Sequence, residues 1–284
     1  MRIRNHRLVN DVPHSIAFMP SPNIGGIIEP RYLVIHYTAG SSAAGSISWL
    51  QNPASKVSAH LVIARDGTIT QMVPFNRLAN HAGKSQWGSV VGLNRHSIGI
   101  ELDNAGQLIR SGGQWVSPIS RRSYPDAEVT VAPHRHDPPG TAPSGWHAYT
   151  EAQLDATISV SLALVNHYAL TDVLGHDYIA PLRKRDPGPD FPMASVRTRV
   201  LGRGDDDVSE RYRTIAELNV RSGSGTGFAP VPGSPLPPAT DVEVLARDSV
   251  WWQVDVVGTI NGVMDIVGWC HSKYLAASTE THRR

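Results

Sequence analysis

A single cysteine, Cys270, stands in the 284 residues of the chain. An internal disulfide is therefore excluded, and so is a zinc site built from several thiolates. Aromatic residues are scarce at 7%, and no stretch reaches the roughly 18 to 20 apolar residues of a membrane-spanning helix. Neither sign of charge dominates. Lys and Arg number 26 against 25 Asp and Glu, a net charge of +1, which gives no electrostatic basis for nucleic acid or an anionic membrane as the main partner. The first residues, MRIRNHRLVNDVPHSIAFMPS, are basic but contain no apolar run of signal-peptide length. The expectation is a chain made in the cytoplasm without a standard signal and without membrane insertion. To act elsewhere it would need another delivery route.

Histidine is what the chain has in quantity, with 13 residues. An apolar content of 40% supports a packed core, and the length suits two domains. The densest chemistry lies in Leu174–Asp190, LGHDYIAPLRKRDPGPD. Pro181, Pro187 and Pro189 disfavour a continuous helix or a central strand there. The stretch reads as a rigid, irregular loop that displays His176, Lys184 and Asp186. His36 lies near the end of RYLVIHY (31–37), a strand of buried type, and strand C-terminal ends are where ligands collect in open α/β sheets. His36, His176 and Asp186 would together make a three-ligand hydrolytic metal site, with Lys184 beside it. Taken singly, each has another reading: a hydrogen-bonded buried histidine, a turn-forming aspartate before Pro187, a solvated lysine in RKR. Glu101 ends a second buried-type strand, SIGIEL (97–102). A carboxylate is costly to bury there without a partner. It reads as a general base, or else as a strand-end glutamate that reaches solvent or an arginine.

The remaining segments give the organisation. Residues 1–30 are expected to wrap the surface, and 41–52 to form a short helix stopped by Pro53. A hairpin over 58–73 turns at Arg65-Asp66-Gly67. Residues 76–96 read as loop, and the Gly-, Pro- and Arg-rich 104–146 as a loop-like insertion or lid. The pair Thr150 and Gln153 has capping-box spacing and opens a helix to about Tyr168, with Leu154, Ile158, Leu162 and Val165 on its apolar face. After a polar linker (201–211), strands at 218–221, 241–246, 251–257 and 266–270 suggest a small all-β barrel from residue 212 onward. His134 and His136 read as surface residues. His6, His14, His96, His147, His167, His271 and His282 read as incidental, and Cys270 as core.

Six segments carry a resemblance: VIHYTAG, VSAHLVIARDGTITQMVP, NHAGKSQW, SIGIELDNAG, YTEAQLDA and LGHDYIAPLRKRDPGPDF. In this order, over residues 30–193, the chain resembles the zinc-dependent N-acetylmuramoyl-L-alanine amidases of the type-2 family, which include peptidoglycan recognition proteins. The resemblance implies an α/β fold with a mixed central sheet flanked by helices, spanning residues 1–200. It implies Zn2+ on His36, His176 and Asp186, an oxyanion-stabilising Lys184, and Glu101 acting on the attacking water. Members with a tyrosine before the strand matching HLVIA differ, since this chain reads VSAH there. His60, His81 and Thr38 are the candidate substrate contacts. LNVRSGSGT, VEVL, WWQV and GWCHSKYL resemble a bacterial SH3-like domain over 212–284, which implies wall binding. Three activities follow as alternatives: a wall-degrading amidase such as an endolysin or antibacterial effector, a cytoplasmic muropeptide-recycling amidase, and a non-catalytic peptidoglycan-binding protein.

Overall fold

The computed structural model describes residues 1–9, 16–138, 140–181, 183–201, 211–263 and 266–277. Most of the expected linker, at 202–210, and both His14 and His282 lie outside the described residues. The chain divides into two compact units, Met1–Trp87 with Gly92–Arg203, and Gly88–Val91 with Gly204–Arg284. Among the described residues no helix is long and apolar enough to cross a membrane.

The first unit is built on a mixed six-stranded sheet. Its strands are β1 (Ala17–Phe18), β2 (Tyr32–Tyr37), β3 (Leu61–Ile63), β4 (Ile69–Gln71), β5 (Ser97–Leu102) and β11 (Asp172–Gly175). The order across the sheet is β11-β2-β5-β3-β4-β1. The run β11-β2-β5-β3 is parallel, and β4 turns back against β3 through the expected hairpin. Residues 1–30 do more than wrap the surface, since β1 extends the sheet by pairing with β4.

Alternation along the strands assigns the two faces. Leu33 and Ile35 of β2, Ile98, Ile100 and Leu102 of β5, and Leu61 and Ile63 of β3 bury against α2 (Glu151–Tyr168) and α4 (Met193–Leu201). Val62 faces the other way and packs with Leu50 of α1 (Ala43–Gln51). His36 and Glu101 share that second face, because they stand opposite each other in the parallel β2–β5 register.

Both predicted helix starts form. Ser42 caps α1 by accepting from the Gly45 N–H, and Thr150 and Gln153 make a reciprocal capping box on α2. Of the apolar face expected on α2, Leu154, Ile158 and Val165 pack partly buried against the core, but the most buried side is rotated from it. Its buried residues are Gln153, Thr157, Val160, Ser161 and Leu164, while Leu162 is 36% exposed. Gln153 explains the shift. Its amide donates to the carbonyls of Asp103 (3.0 Å) and Ile63 (3.4 Å), which ties the helix start to the ends of β5 and β3 and sets its rotation.

The expected loop at 104–146 is instead a five-stranded antiparallel sheet: β6 (Gln107–Ser111), β7 (Gln114–Val116), β8 (Ser123–Tyr124), β9 (Val129–Ala132) and β10 (Ser144–His147), in the order β8-β7-β6-β10-β9. Gly112 and Gly113, both at positive φ (58° and 81°), close the β6–β7 hairpin, the geometry a Gly-Gly pair permits. Ala105, Leu108, Trp115 and Tyr124 give this sheet a small core of its own.

The second unit is all-β. Its strands β12 (Arg211–Thr214), β13 (Asp241–Asp248), β14 (Trp251–Val256), β15 (Val267–His271) and β16 (Leu275–Ala277) form an antiparallel sheet in the order β15-β14-β13-β12-β16. The strand expected at 218–221 reduces to isolated bridges from Leu218 and Arg221. Strand β12, which lies between β13 and β16, begins inside the segment read as linker. Leu218, Val220, Leu236, Val242, Val254, Val256, Ile266 and Cys270 make the core.

Candidate metal centre

Three parallel strands end at one edge of the sheet. His36 is the penultimate residue of β2, Glu101 the penultimate residue of β5, and His176 follows the last residue of β11 and starts the one-turn helix α3 (His176–Ile179). The loop after α3 returns to bring Asp186 back to this edge. His36 Nδ1, His176 Nδ1 and Asp186 Oδ2 form a triangle with sides of 2.8, 2.9 and 2.9 Å, and all three residues are buried.

The outer contacts of the histidines decide what this triangle can hold. His176 Nε2 lies 3.1 Å from the carbonyl oxygen of Ala82, which can only accept, so the ring carries its proton on Nε2 and leaves Nδ1 bare. His36 Nε2 lies 2.9 Å from His81 Nδ1, and His81 Nε2 lies 3.3 Å from Ser97 Oγ. The Ser97 hydroxyl gives its own proton to the Leu93 carbonyl at 2.6 Å. Ser97 therefore accepts from His81 Nε2–H, His81 Nδ1 accepts from His36 Nε2–H, and His36 Nδ1 is bare as well. Two unprotonated nitrogens and a carboxylate oxygen then face one another with no proton to share. A divalent cation satisfies all three, and two imidazoles with one carboxylate are a donor set suited to zinc. The residues present fit the metal.

The electrostatics agree. Burial, reinforced by His176, pushes His36 down to about 4 and keeps it neutral. Glu101 is pushed up to about 8, first by burial and then by Asp186, with Lys184 opposing. Its Oε2 is buried and meets no hydrogen-bond partner among the described residues. Lys184 is partly exposed. Its backbone N–H donates to the Ala180 carbonyl at 2.9 Å, the bond of a tight turn.

The other candidates separate. His81 supports His36 and lies flat on the sheet, where a Cβ at residue 99 would come within 2.5 Å of its ring, so Gly99 makes room for it. Asn94 Oδ1 accepts from the N–H groups of both His81 and Ala82 (3.1 and 2.7 Å) and so fixes the dipeptide that orients both histidines. Sequence carried no signal for Asn94. His60 does not reach a surface where a substrate could touch it. It is fully buried, its Nε2–H donates to the Arg77 carbonyl, and its Nδ1 accepts from the Gly99 N–H. Thr38 follows β2 and is half-buried, with its hydroxyl engaged by the Gly40 N–H and the Asn104 carbonyl. His134, expected at the surface, is buried on Trp146. His147, expected to be incidental, is buried and accepts from the Ala105 N–H at 3.1 Å.

Residues 28–189 match the family described as N-acetylmuramoyl-L-alanine amidase. The chain is 35% identical over 147 residues to 1,6-anhydro-N-acetylmuramyl-L-alanine amidase AmpD of Escherichia coli (strain K12), covering 51% of this chain and 59% of that one. It is 27% identical over 226 residues to N-acetylmuramoyl-L-alanine amidase AmiD of the same organism, covering 76% and 65%. Among solved structures it is similar to the E. coli AmiD complex with the substrate anhydro-N-acetylmuramic acid-L-Ala-D-gamma-Glu-L-Lys, at 30% identity and a TM-score of 0.45, covering 61% of this chain and 58% of that one. The chain thus spans less than two thirds of the length of these curated relatives.

Proposed function

The chain belongs to the N-acetylmuramoyl-L-alanine amidase family, and from that premise we propose that it hydrolyses the amide between N-acetylmuramic acid and L-alanine in peptidoglycan, with one Zn2+ held by His36, His176 and Asp186. The observation that carries this reading is the triangle of three bare donor atoms at the strand ends. Bound there, zinc supplies a Lewis acid and lowers the pKa of water toward about 7. Glu101, buried beside the ligands and with no hydrogen-bond partner on Oε2 among the described residues, is the carboxylate that takes the proton of the attacking water and returns it to the leaving amine. Lys184 places a positive charge where the carbonyl oxygen becomes an oxyanion. The strand-end placement keeps Glu101, His36 and His176 on rigid elements, so little ordering of these three is needed on binding.

The C-terminal unit is read as an SH3-like module over 212–284 that holds the enzyme on its polymer and raises the local substrate concentration. Its all-β sheet supports this, and it favours action at the cell wall, as an endolysin or delivered antibacterial effector would act. The second reading is recycling of soluble muropeptides, which the 1,6-anhydro substrate in the AmpD relative's name favours. Release of free L-alanine termini from intact sacculi, compared with release from soluble anhydro-muropeptide, separates the two.

Glu101→Ala is expected to retain zinc and fold while losing about 10²- to 10⁴-fold in kcat. Turnover close to wild type would refute the general-base role. Chelation is expected to abolish hydrolysis and added zinc to restore it, and a chelator-insensitive enzyme would remove the metal from the mechanism.

A further inference from the structure

The β6–β10 sheet has no part in the reaction proposed above, yet its contacts converge on one loop. From β9, Thr130 Oγ1 donates to Asp190 Oδ1 at 2.5 Å. From the turn after β9, His134 Nε2 donates to the Arg185 carbonyl (3.1 Å), and His136 Nε2 donates to the Asp177 carbonyl (3.1 Å). Asp137 Oδ1 accepts from Arg185 Nη2 at 2.5 Å. From β10, Trp146 stacks on His134 with ring centroids 5.5 Å apart, and it covers Gly188 so closely that a Cβ there would stand 2.7 Å from the indole.

These contacts bracket the chemistry. Asp177 follows His176, Arg185 lies between Lys184 and Asp186, and Gly188 and Asp190 close the loop. Asp137 is itself held, since its second oxygen accepts from the His134 N–H at 2.8 Å. It is the more buried partner of its pair, with 9% of its side chain exposed against 34% for Arg185. A cavity of about 290 Å³ remains in the same seam, lined by Pro133, His134, Asp177, Pro187 and Phe191 among others. The loop is therefore held by a few directed polar contacts more than by continuous packing. Charge-assisted bonds of this kind fix geometry as well as add energy.

We infer that the β6–β10 sheet is a scaffold for the catalytic loop, with Asp137, His134 and Thr130 as positioning residues that set Lys184 and Asp186 in place before metal or substrate arrives. The consequence for activity rests on the zinc-amidase reading, while the clamp itself does not.

The test uses full-length Asp137→Asn and Thr130→Val, each checked for wild-type far-UV circular dichroism. Both are expected to speed amide hydrogen exchange across residues 183–190. Both are also expected to weaken zinc binding about tenfold in competition with a chromogenic chelator, and to lower kcat on soluble muropeptide with KM held. Asp137→Glu should restore most of the zinc affinity. If exchange, zinc affinity and kcat all match the wild type, the scaffold role is overturned. A lower melting temperature with unchanged zinc affinity and kcat overturns it too, because a purely structural strut would do just that. Should the wild type neither bind zinc nor cleave muropeptide, the functional reading fails, and exchange at 183–190 still decides the clamp.

Discussion

His81 illustrates how one side chain fixes what its neighbour can bind. It touches His36 across 45 positions of sequence, with its Nδ1 2.9 Å from His36 Nε2. Read as sequence, it was a candidate substrate contact because it lay in NHAGKSQW. In the fold its ring passes the Ser97 hydroxyl's constraint on to His36. The substitution His81→Phe keeps a flat ring over Gly99 and removes the acceptor. It is expected to weaken zinc binding about 10- to 100-fold, the usual cost of losing such an outer contact. A competition titration with a chelator measures it, and an unchanged dissociation constant would show that His36 is oriented by something else. Asn94 acts one step further out, on backbone N–H groups. An asparagine in a loop gives no pattern from which that role can be read.

At the scale of elements, the longer strands, the local hairpin and the helix starts were legible, and helix rotation and long-range pairing were not. SIGIEL forms β5 over the expected residues because an apolar run of that length fits a strand buried on both faces. The capping box on α2 forms because its two hydrogen bonds are local. The buried face of α2 is wider than its apolar pattern shows, because Gln153, Thr157 and Ser161 are polar yet buried. Gln153 spends its amide on strand-end carbonyls, and Thr157 Oγ1 donates to the Gln153 carbonyl at 2.6 Å. His60 joins elements in the same way, donating to the Arg77 carbonyl and accepting from Gly99 of β5. Burial lowers it from 6.5 to about 4, so the unfolded chain takes up the proton first. The stability this neutral ring confers is complete above pH 6.5 and is lost as pH falls toward 4, by about 3 kcal/mol at full extent. His147, lowered to about 3 by burial, adds the same sign. In chelator-treated protein the urea midpoint is expected to fall over this window. The gap between wild type and His60→Gln should shrink as pH is lowered, and a gap that holds constant from pH 7.5 to 4.5 would disprove the linkage.

At the scale of the whole molecule, the chain forms two compact units, Met1–Trp87 with Gly92–Arg203 and Gly88–Val91 with Gly204–Arg284. Cys270 reports on the second core. It is fully buried beside Val254 and Val256, and burial pushes its thiol up to about 12. Ellman's reagent at pH 8 is expected to leave the native protein unlabelled and to label one thiol per chain through the denaturation of that unit. Rapid labelling of native protein would mean that this core opens on its own. The insertion is where the whole-molecule reading failed. Its five strands are two to five residues long, too short for a period-2 pattern to show, and its Gly and Pro content resembles that of a loop. Gly112-Gly113 was the one hairpin signal available.

The sequence by itself determined which residues could do chemistry. Burying a histidine or carboxylate at the end of an apolar strand is costly without a use, and a Pro-rich loop holds its side chains in fixed places, so His36, Glu101, His176, Lys184 and Asp186 stand out as a set, although each alone has another reading. Only the tertiary structure decided which nitrogen of each histidine is free, that a serine, an asparagine and a backbone carbonyl fix those choices, and that the insertion is a sheet whose turn grips the loop. Proton placement and strand pairing depend on partners far apart in the chain, and a local pattern holds no record of such partners until the fold brings them within 3 Å.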